Sequence, residues 1–278
     1  MMRLLTLVVA LLQFGVAAAA TITVNTAADN RTAGDGQCTL REAIANVNAA
    51  ADTTGGDCTA GSGAGDTITF SVTLPAIVRL TPAFGELAIA KDVAIVGPGA
   101  GSLAIDGRYK TRVFHIAAGS TSMSDLTIRK GRSASRDTAK GGGILVDSGA
   151  TVELTNCTLH GNVVTGHGYD GDGYGGGGLY IDGTATLTNC TLSGNKATGY
   201  DGGLAYGGSI YVAGTATLTR CALDDNKAIG YSHAPGSAAG GGLYIDGSAT
   251  LTNCTLNRNK AIGFGDGYWA VLISPSTR

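Results

Sequence analysis

With 278 residues, 45 of them glycine, and only 14% charged and 6% aromatic side chains, the chain is rich in turn formers and poor in large groups to fill a wide core. That composition excludes a helical solenoid, because glycine costs roughly 1 kcal/mol per helix-interior position relative to alanine. A formal charge of -2 with no basic run gives no reason to expect nucleic acid or an anionic membrane as a partner.

Residues 1–20 read as a secretory signal. Arg3 precedes an apolar run over 4–16, and Ala18 and Ala20 satisfy the small-residue cleavage rule, so the mature chain is expected to begin at Thr21. The apolar run is short for a membrane span, and no later stretch is long enough to cross a bilayer as a helix. A secreted or surface location follows, in a compartment that permits disulfides.

Residues 21–25 (TITVN) alternate and read as a strand. Thr39-Leu40-Arg41-Glu42 matches a capping box, with Thr39 as N-cap, and starts a helix expected to run to about Ala51. Leu40, Ile44 and Val47 share one face of that helix, which suits it as a lid on a stack of strands. Cys38 and Cys58 flank the helix among turn residues. In an exported protein they are expected to pair as a disulfide, the alternative being two unpaired thiols.

From Asp66 the pattern becomes short alternating strands at 67–72, 77–80, 86–90, 93–96, 103–105 and 113–116, broken by GPGAG at 97–101 and by Asp106-Gly107. Strands so short cannot bury a face alone and must coil so that each lies on its equivalent in the next turn.

From Gly141 one phrase recurs in four copies: GGGILVDSGATVELTNCTLHGN, GGGLYIDGTATLTNCTLSGNKA, GGSIYVAGTATLTRCALDDNKA and GGGLYIDGSATLTNCTLNRNKA. Cys157, Cys190, Cys221 and Cys254 mark it at steps of 33, 31 and 33 residues, each followed five residues later by Asn162, Asn195, Asn226 and Asn259. A period of this size means one supersecondary unit stacked on itself. After each glycine group Ile144, Leu179, Ile210 and Leu243 face one way, as do Val146, Ile181, Val212 and Ile245. Leu145, Tyr180, Tyr211 and Tyr244 lie between them and face the other way. In the second strand Leu154, Leu187, Leu218 and Leu251 point inward, and simple alternation would then put the cysteines outside. Leu126 stands at the cysteine position one step earlier, which argues for an interior position and a bend just before it. The fold class expected is all-β, a single-chain parallel β-helix with a short N-terminal capping helix.

At 38–44 the string CTLREAI closely resembles the CSLREA motif that opens many exported bacterial β-helix proteins. DTITF (66–70), GELAIAKDVAIVGPGAGSLAIDG (85–107), RVFHI (112–116) and DLTIRKG (125–131) look like its usual continuation. The repeats resemble those of polymorphic outer-membrane and other right-handed β-helix surface proteins of the pectate-lyase-like superfold. The resemblance covers about 21–263 and implies a right-handed coil and export, with no defined activity. It divides the chain into a signal (1–20), an N-terminal cap (21–65), a β-helix (66–266) and a tail (267–278). The tail, GYWAVLISPSTR, matches neither another coil nor the family's surface anchors. Tyr268, Trp269, Val271, Leu272 and Ile273 are expected to plug the open end. Alternatively the natural protein is longer and the open end invites end-to-end association.

For the repeat cysteines the expectation is interior packing; CxxC spacing for a metal is absent. The asparagines are expected to form an amide ladder that satisfies backbone groups at each turn. Lys196, Lys227 and Lys260 form a basic column, read as a solvated face with an acidic polymer as the alternative ligand. Tyr180, Tyr211 and Tyr244, with His115 and Leu145 earlier in the column, would make a flat aromatic strip on which sugar rings stack, against the alternative of cross-strand stacking under the adjoining loops. Those loops carry Tyr169, Tyr200, Tyr231 and Phe264. No catalytic residue is assigned. Asp147, Asp182 and Asp246 precede glycine in turns, Asp224-Asp225 would point to opposite faces, and His115, His160, His167 and His233 are dispersed. No metal and no cofactor are expected, and calcium at Asp170, Asp172 or the Asp201 loop lacks a recognised pattern. The function read from these features is an adhesin-like surface or extracellular scaffold binding polysaccharide or a cell-surface partner. The alternatives are a polysaccharide lyase or glycoside hydrolase, and a non-functional fragment of a longer surface protein.

Overall fold

A computed structural model describes residues 18–136, 138–167, 173–201, 203–231, 238–265 and 268–273. Residues 1–17 of the expected signal lie outside the described residues, as do Tyr169, Asp170, Asp172 and His233. No helix among the described residues is long and apolar enough to cross a membrane.

Each coil gives one short strand to each of three parallel ladders. Sheet I has eight strands, from Thr21–Val24 to Ser248–Thr252; sheet II has seven, from Ala76–Arg79 to Thr255–Asn257; sheet III has six, from Leu87–Ile89 to Leu243–Ile245. Period-two alternation sends one apolar residue in two into the bore, where Ile89, Ile116, Val146, Ile181 and Val212 stack as one fully buried column. Burying each such side chain is worth about 1.5–3 kcal/mol. The bore is thus a set of apolar columns rather than a central cluster of large rings.

The expected bend before the cysteines is a single left-handed residue. Asp125, Asn156, Asn189, Arg220 and Asn253 have φ of 58°, 54°, 54°, 54° and 53° between the sheet I and sheet II strands. One residue out of the strand conformation resets parity, so Cys157, Cys190 and Cys221 follow Leu154, Leu187 and Leu218 into the core. Asn and Asp adopt this conformation at little cost. Arg220 is the departure, and its Nε donates to Asn189 Oδ1 at 2.7 Å. The repeat cysteines are free thiols.

At the next corner the asparagines form a buried ladder. Asn195 Oδ1 accepts from both the backbone N and Nδ2 of Asn162 at 3.0 Å, while its own Nδ2 donates to Leu159 O at 3.0 Å and Asn226 Oδ1 at 3.1 Å. Asn226 and Asn259 continue the pattern.

The N-terminal end is covered by α1, Leu40–Ala49, with the capping box formed and Ala50 as a left-handed C-cap. Leu40, Ile44 and Val47 are buried against the first coil. Cys38 and Cys58 are disulfide-bonded, with Cα atoms 4.9 Å apart.

The segments read as glycine-rich loops are corrected by the structure: they form two further sheets. After each ladder asparagine the chain leaves the coil as a strand of sheet IV, which includes Val163–His167, Lys196–Tyr200 and Lys227–Tyr231. It returns through sheet V, Gly173–Gly175, Leu204–Tyr206 and Ala238–Ala239. Ala197, Ala228 and Ala261 of sheet IV pack against Ala205 and Ala238 of sheet V. Small side chains let the two layers close into a flap beside the coil. The expected plug is also replaced by another arrangement: Tyr268–Ile273 pairs antiparallel with Lys260–Gly265 and extends sheet IV.

Candidate functional site

The outer face of sheet III carries the predicted binding residues on one line. Ala88, His115, Leu145, Tyr180, Tyr211 and Tyr244 are successive Cα partners. The line is as expected, but the rings do not form a flat platform. Tyr180 and Tyr211 stack face to face with centroids 4.8 Å apart, and Tyr211 is followed by Tyr244 at 5.1 Å. Sheet V then folds over them. The Tyr206 ring stacks on Tyr244 at 4.6 Å, Lys140 Nζ lies 4.6 Å from the Tyr180 centroid, and a Cβ on Gly175 would stand 2.5 Å from Tyr211 Cδ2. Tyr180 keeps only 7% exposure. Ring faces are therefore used within the protein, and what faces outward is ring edges and hydroxyls.

A polar rim runs beside this line. Asp182 and Asp246 are exposed at the ends of their strands, and the Tyr211 hydroxyl donates to Asp246 Oδ2 at 3.3 Å. Burial, with Tyr180 and Asp246 adding to it, holds the Tyr211 phenol above its ordinary pKa, so the hydroxyl stays a donor.

At the N-terminal end of the line His115 is the centre of a charge cluster that the sequence did not announce. Its Nδ1 lies 3.0 Å from Glu86 Oε1 and its Nε2 lies 2.8 Å from Asp147 Oδ2. Arg112 pairs with Glu86 and also donates to Gly141 O at 2.8 Å and Lys140 O at 3.0 Å. The hydrogen bond to Glu86 leads the interactions that raise the His115 pKa. Burial opposes this, and Asp147 adds to it. For Glu86 burial acts to raise the pKa, but the His115 hydrogen bond and Arg112 outweigh it and hold the carboxyl below its ordinary value. Glu86 and Asp147 thus clamp the His115 ring from its two nitrogens. Arg41, from the motif at 38–44, fixes the turn that carries Glu86. It is held by Asp29 at 2.7 Å and donates to the carbonyls of Phe84, Gly85 and Glu86 at 3.3, 2.9 and 3.0 Å. A cavity of about 430 Å³ beside the cluster is lined by Glu86, Lys110, Arg112 and Arg132.

These shifts set a pH window. The His115 contribution to stability is complete below 6.5, the ordinary histidine value, and is lost as pH rises through its raised pKa. The Glu86 contribution is complete above 4.5, the ordinary glutamate value, and is lost as pH falls through its depressed pKa. Thermal melts are expected to be highest between pH 4.5 and 6.5. His115→Gln should remove much of the decline on the alkaline side, and an unchanged decline would show that the clamp is not its source.

Two other acidic sites in the coils are held in local pairs. Asp224 and Asp225 do not point apart but both receive Arg258, at 2.6 and 2.9 Å. Asp201 lies 3.5 Å from His167 Nδ1. Among the described residues no group of three His, Cys, Asp or Glu side chains is placed to hold a metal ion.

Among curated proteins and among solved structures no match to the chain is found. The family model described as right handed beta helix region matches residues 112–272, more than half of the chain. That span takes in the repeated coils and the flap strands that grow from them. The chain belongs to the right-handed beta helix family.

Proposed function

We propose that this protein is an exported, extracellular or surface-held β-helix scaffold, adhesin-like in role, which binds a carbohydrate chain along the outer face of sheet III. The observation that carries the reading is the single register line from His115 to Tyr244 with Asp147, Asp182 and Asp246 beside it. Tyrosine hydroxyls on three adjacent coils about 4.8 Å apart, flanked by Asp147, Asp182 and Asp246 with a gap at Ala213, offer hydrogen-bonding groups that suit the hydroxyls of a linear polymer. The contact is through polar edges, since ring faces are already stacked. The likeness of residues 38–44 to the CSLREA motif, and the signal-like residues 1–20, support export.

Binding is favoured over cleavage by the state of the clamp. Both nitrogens of His115 are occupied, its pKa is raised, and that of Glu86 is lowered, which makes the first a reluctant acid and the second a weak base. A glycan array probed with the mature protein should reveal at least one oligosaccharide ligand. Tyr244→Ala and Asp246→Asn should each weaken it about tenfold, the loss of about 1.4 kcal/mol from a hydrogen-bonded contact. Absence of binding across neutral and acidic glycans would overturn the proposal. Release of reducing ends or unsaturated sugars from polysaccharide substrates would replace it with the lyase or hydrolase reading.

A further inference from the structure

The flap carries a second, independent line of residues on the outer face of sheet IV. Arg132, Val163, Lys196, Lys227 and Lys260 are successive partners, so four of five rungs are cationic. Arg132, Lys227 and Lys260 are exposed, Lys196 is half-buried, and the cavity lined by Lys110 and Arg132 lies at the foot of the line. Among the described residues none of these side chains has an ion pair. Asp225 lies near enough to Lys227 and Lys260 to sense their charge, but it is already engaged by Arg258. Like charges directly opposite on neighbouring strands destabilise a sheet. Burial first, and then Lys227, pull the Lys196 pKa below its ordinary value, in keeping with that crowding. The fold thus keeps a column of positive charge whose side chains, among the described residues, form no ion pair of their own.

We infer that this column is a binding track for a linear acidic polysaccharide, with a carboxylate or sulfate facing each cationic rung and the Val163 rung bridged. Adjacent rungs are about 4.8 Å apart, close to the advance of one sugar in an extended chain. A single-stranded nucleic acid would need free aromatic faces for its bases. The aromatic row on the same strands has its inner faces filled: His167, Tyr200, Tyr231 and Phe264 stack on one another at 4.9, 5.1 and 4.9 Å. The track shares no residue with the sheet III line, so the two readings fail or stand separately.

The test uses the mature protein, with polygalacturonate and dextran sulfate as probes and neutral dextran and single-stranded DNA as controls. Either acidic glycan is expected to raise the melting temperature at low salt, with affinity falling steeply as salt screens the charges. The double variant Lys227→Gln with Lys260→Gln should bind at least about tenfold more weakly. Without ligand it should melt about 2 °C higher than the parent, because repulsion within the column is relieved. Glu153→Gln, exposed on the outer face of sheet I and remote from both lines, should leave this binding unchanged. No stabilisation by either acidic glycan, equal binding of DNA, or a double variant that binds as well as the parent would overturn the track.

Discussion

Asn195→Leu is expected to destabilise the protein by about 4 kcal/mol, measured as a drop in the denaturant midpoint. The side chain is as large as the one it replaces, so the loss comes from hydrogen bonds rather than from a cavity. Asn195 Oδ1 is the acceptor for the backbone N of Asn162, and its Nδ2 serves Leu159 O and Asn226 Oδ1, all of them buried. Leaving a buried polar group without its partner costs about 1–3 kcal/mol, and leucine strands groups on the coils both before and after it. In a solenoid each coil leans only on its neighbours, so the break falls in the middle of the ladder, where it uncouples two halves. A loss below about 1 kcal/mol would mean that water or backbone movement replaces the ladder. Asn195→Asp should fall between parent and leucine, since it keeps the acceptor and loses the donor.

Gly208→Ala should prevent folding to the native coil. Its Cβ would stand 2.2 Å from Gly241 O, 2.4 Å from Lys227 C and 2.5 Å from Lys227 O. All three are backbone atoms, of the next coil and of the flap strand, and cannot move without breaking ladders on both sides. Overpacking of this kind sits at the far end of mutational effects, above about 4 kcal/mol. Gly101→Ala is the control, because nothing lies within 4 Å of a Cβ there and its φ needs no glycine. That variant should stay within about 0.5 kcal/mol of the parent. Soluble yield and circular dichroism distinguish the two, and a folded Gly208→Ala protein would show that the flap does not pack as tightly as the backbone indicates.

The glycine group that precedes each sheet III strand has its physical cause here. In the sequence it marks only the start of a repeat. In the structure the chain returns from the flap at this point and packs closely against the sheet IV strand of the next flap and the glycine group of the next coil. Sheets IV and V were illegible beforehand because strands such as Lys-Ala-Thr-Gly-Tyr mix alanine and glycine, which propensity assigns to loops. Their pairing comes from tertiary packing of one flap on the next. Sheet V also decides between the two readings of the tyrosines, a flat strip or cross-strand stacking under the adjoining segments, in favour of the second. Side-chain parity placed Tyr180, Tyr211 and Tyr244 correctly outside the bore, but sheet V covers them there. The aromatic row expected to begin at Tyr169 in fact begins, among the described residues, at His167, the partner of Tyr200.

By itself the sequence determined the coil: its period, the inward leucines and isoleucines, the need for a bend before each cysteine, the asparagine ladder, and the capping helix with its disulfide. This was legible because a solenoid residue meets its own equivalents one coil away, so that local repetition states the tertiary neighbour. Only the tertiary structure decided the flap and the His115 clamp. Glu86 and Asp147 lie 29 and 32 residues from His115, and of the three only Asp147 belongs to the repeated phrase. Side chains meet there because neighbouring turns are stacked in register, and no periodicity in the sequence records which charges that stacking will bring together.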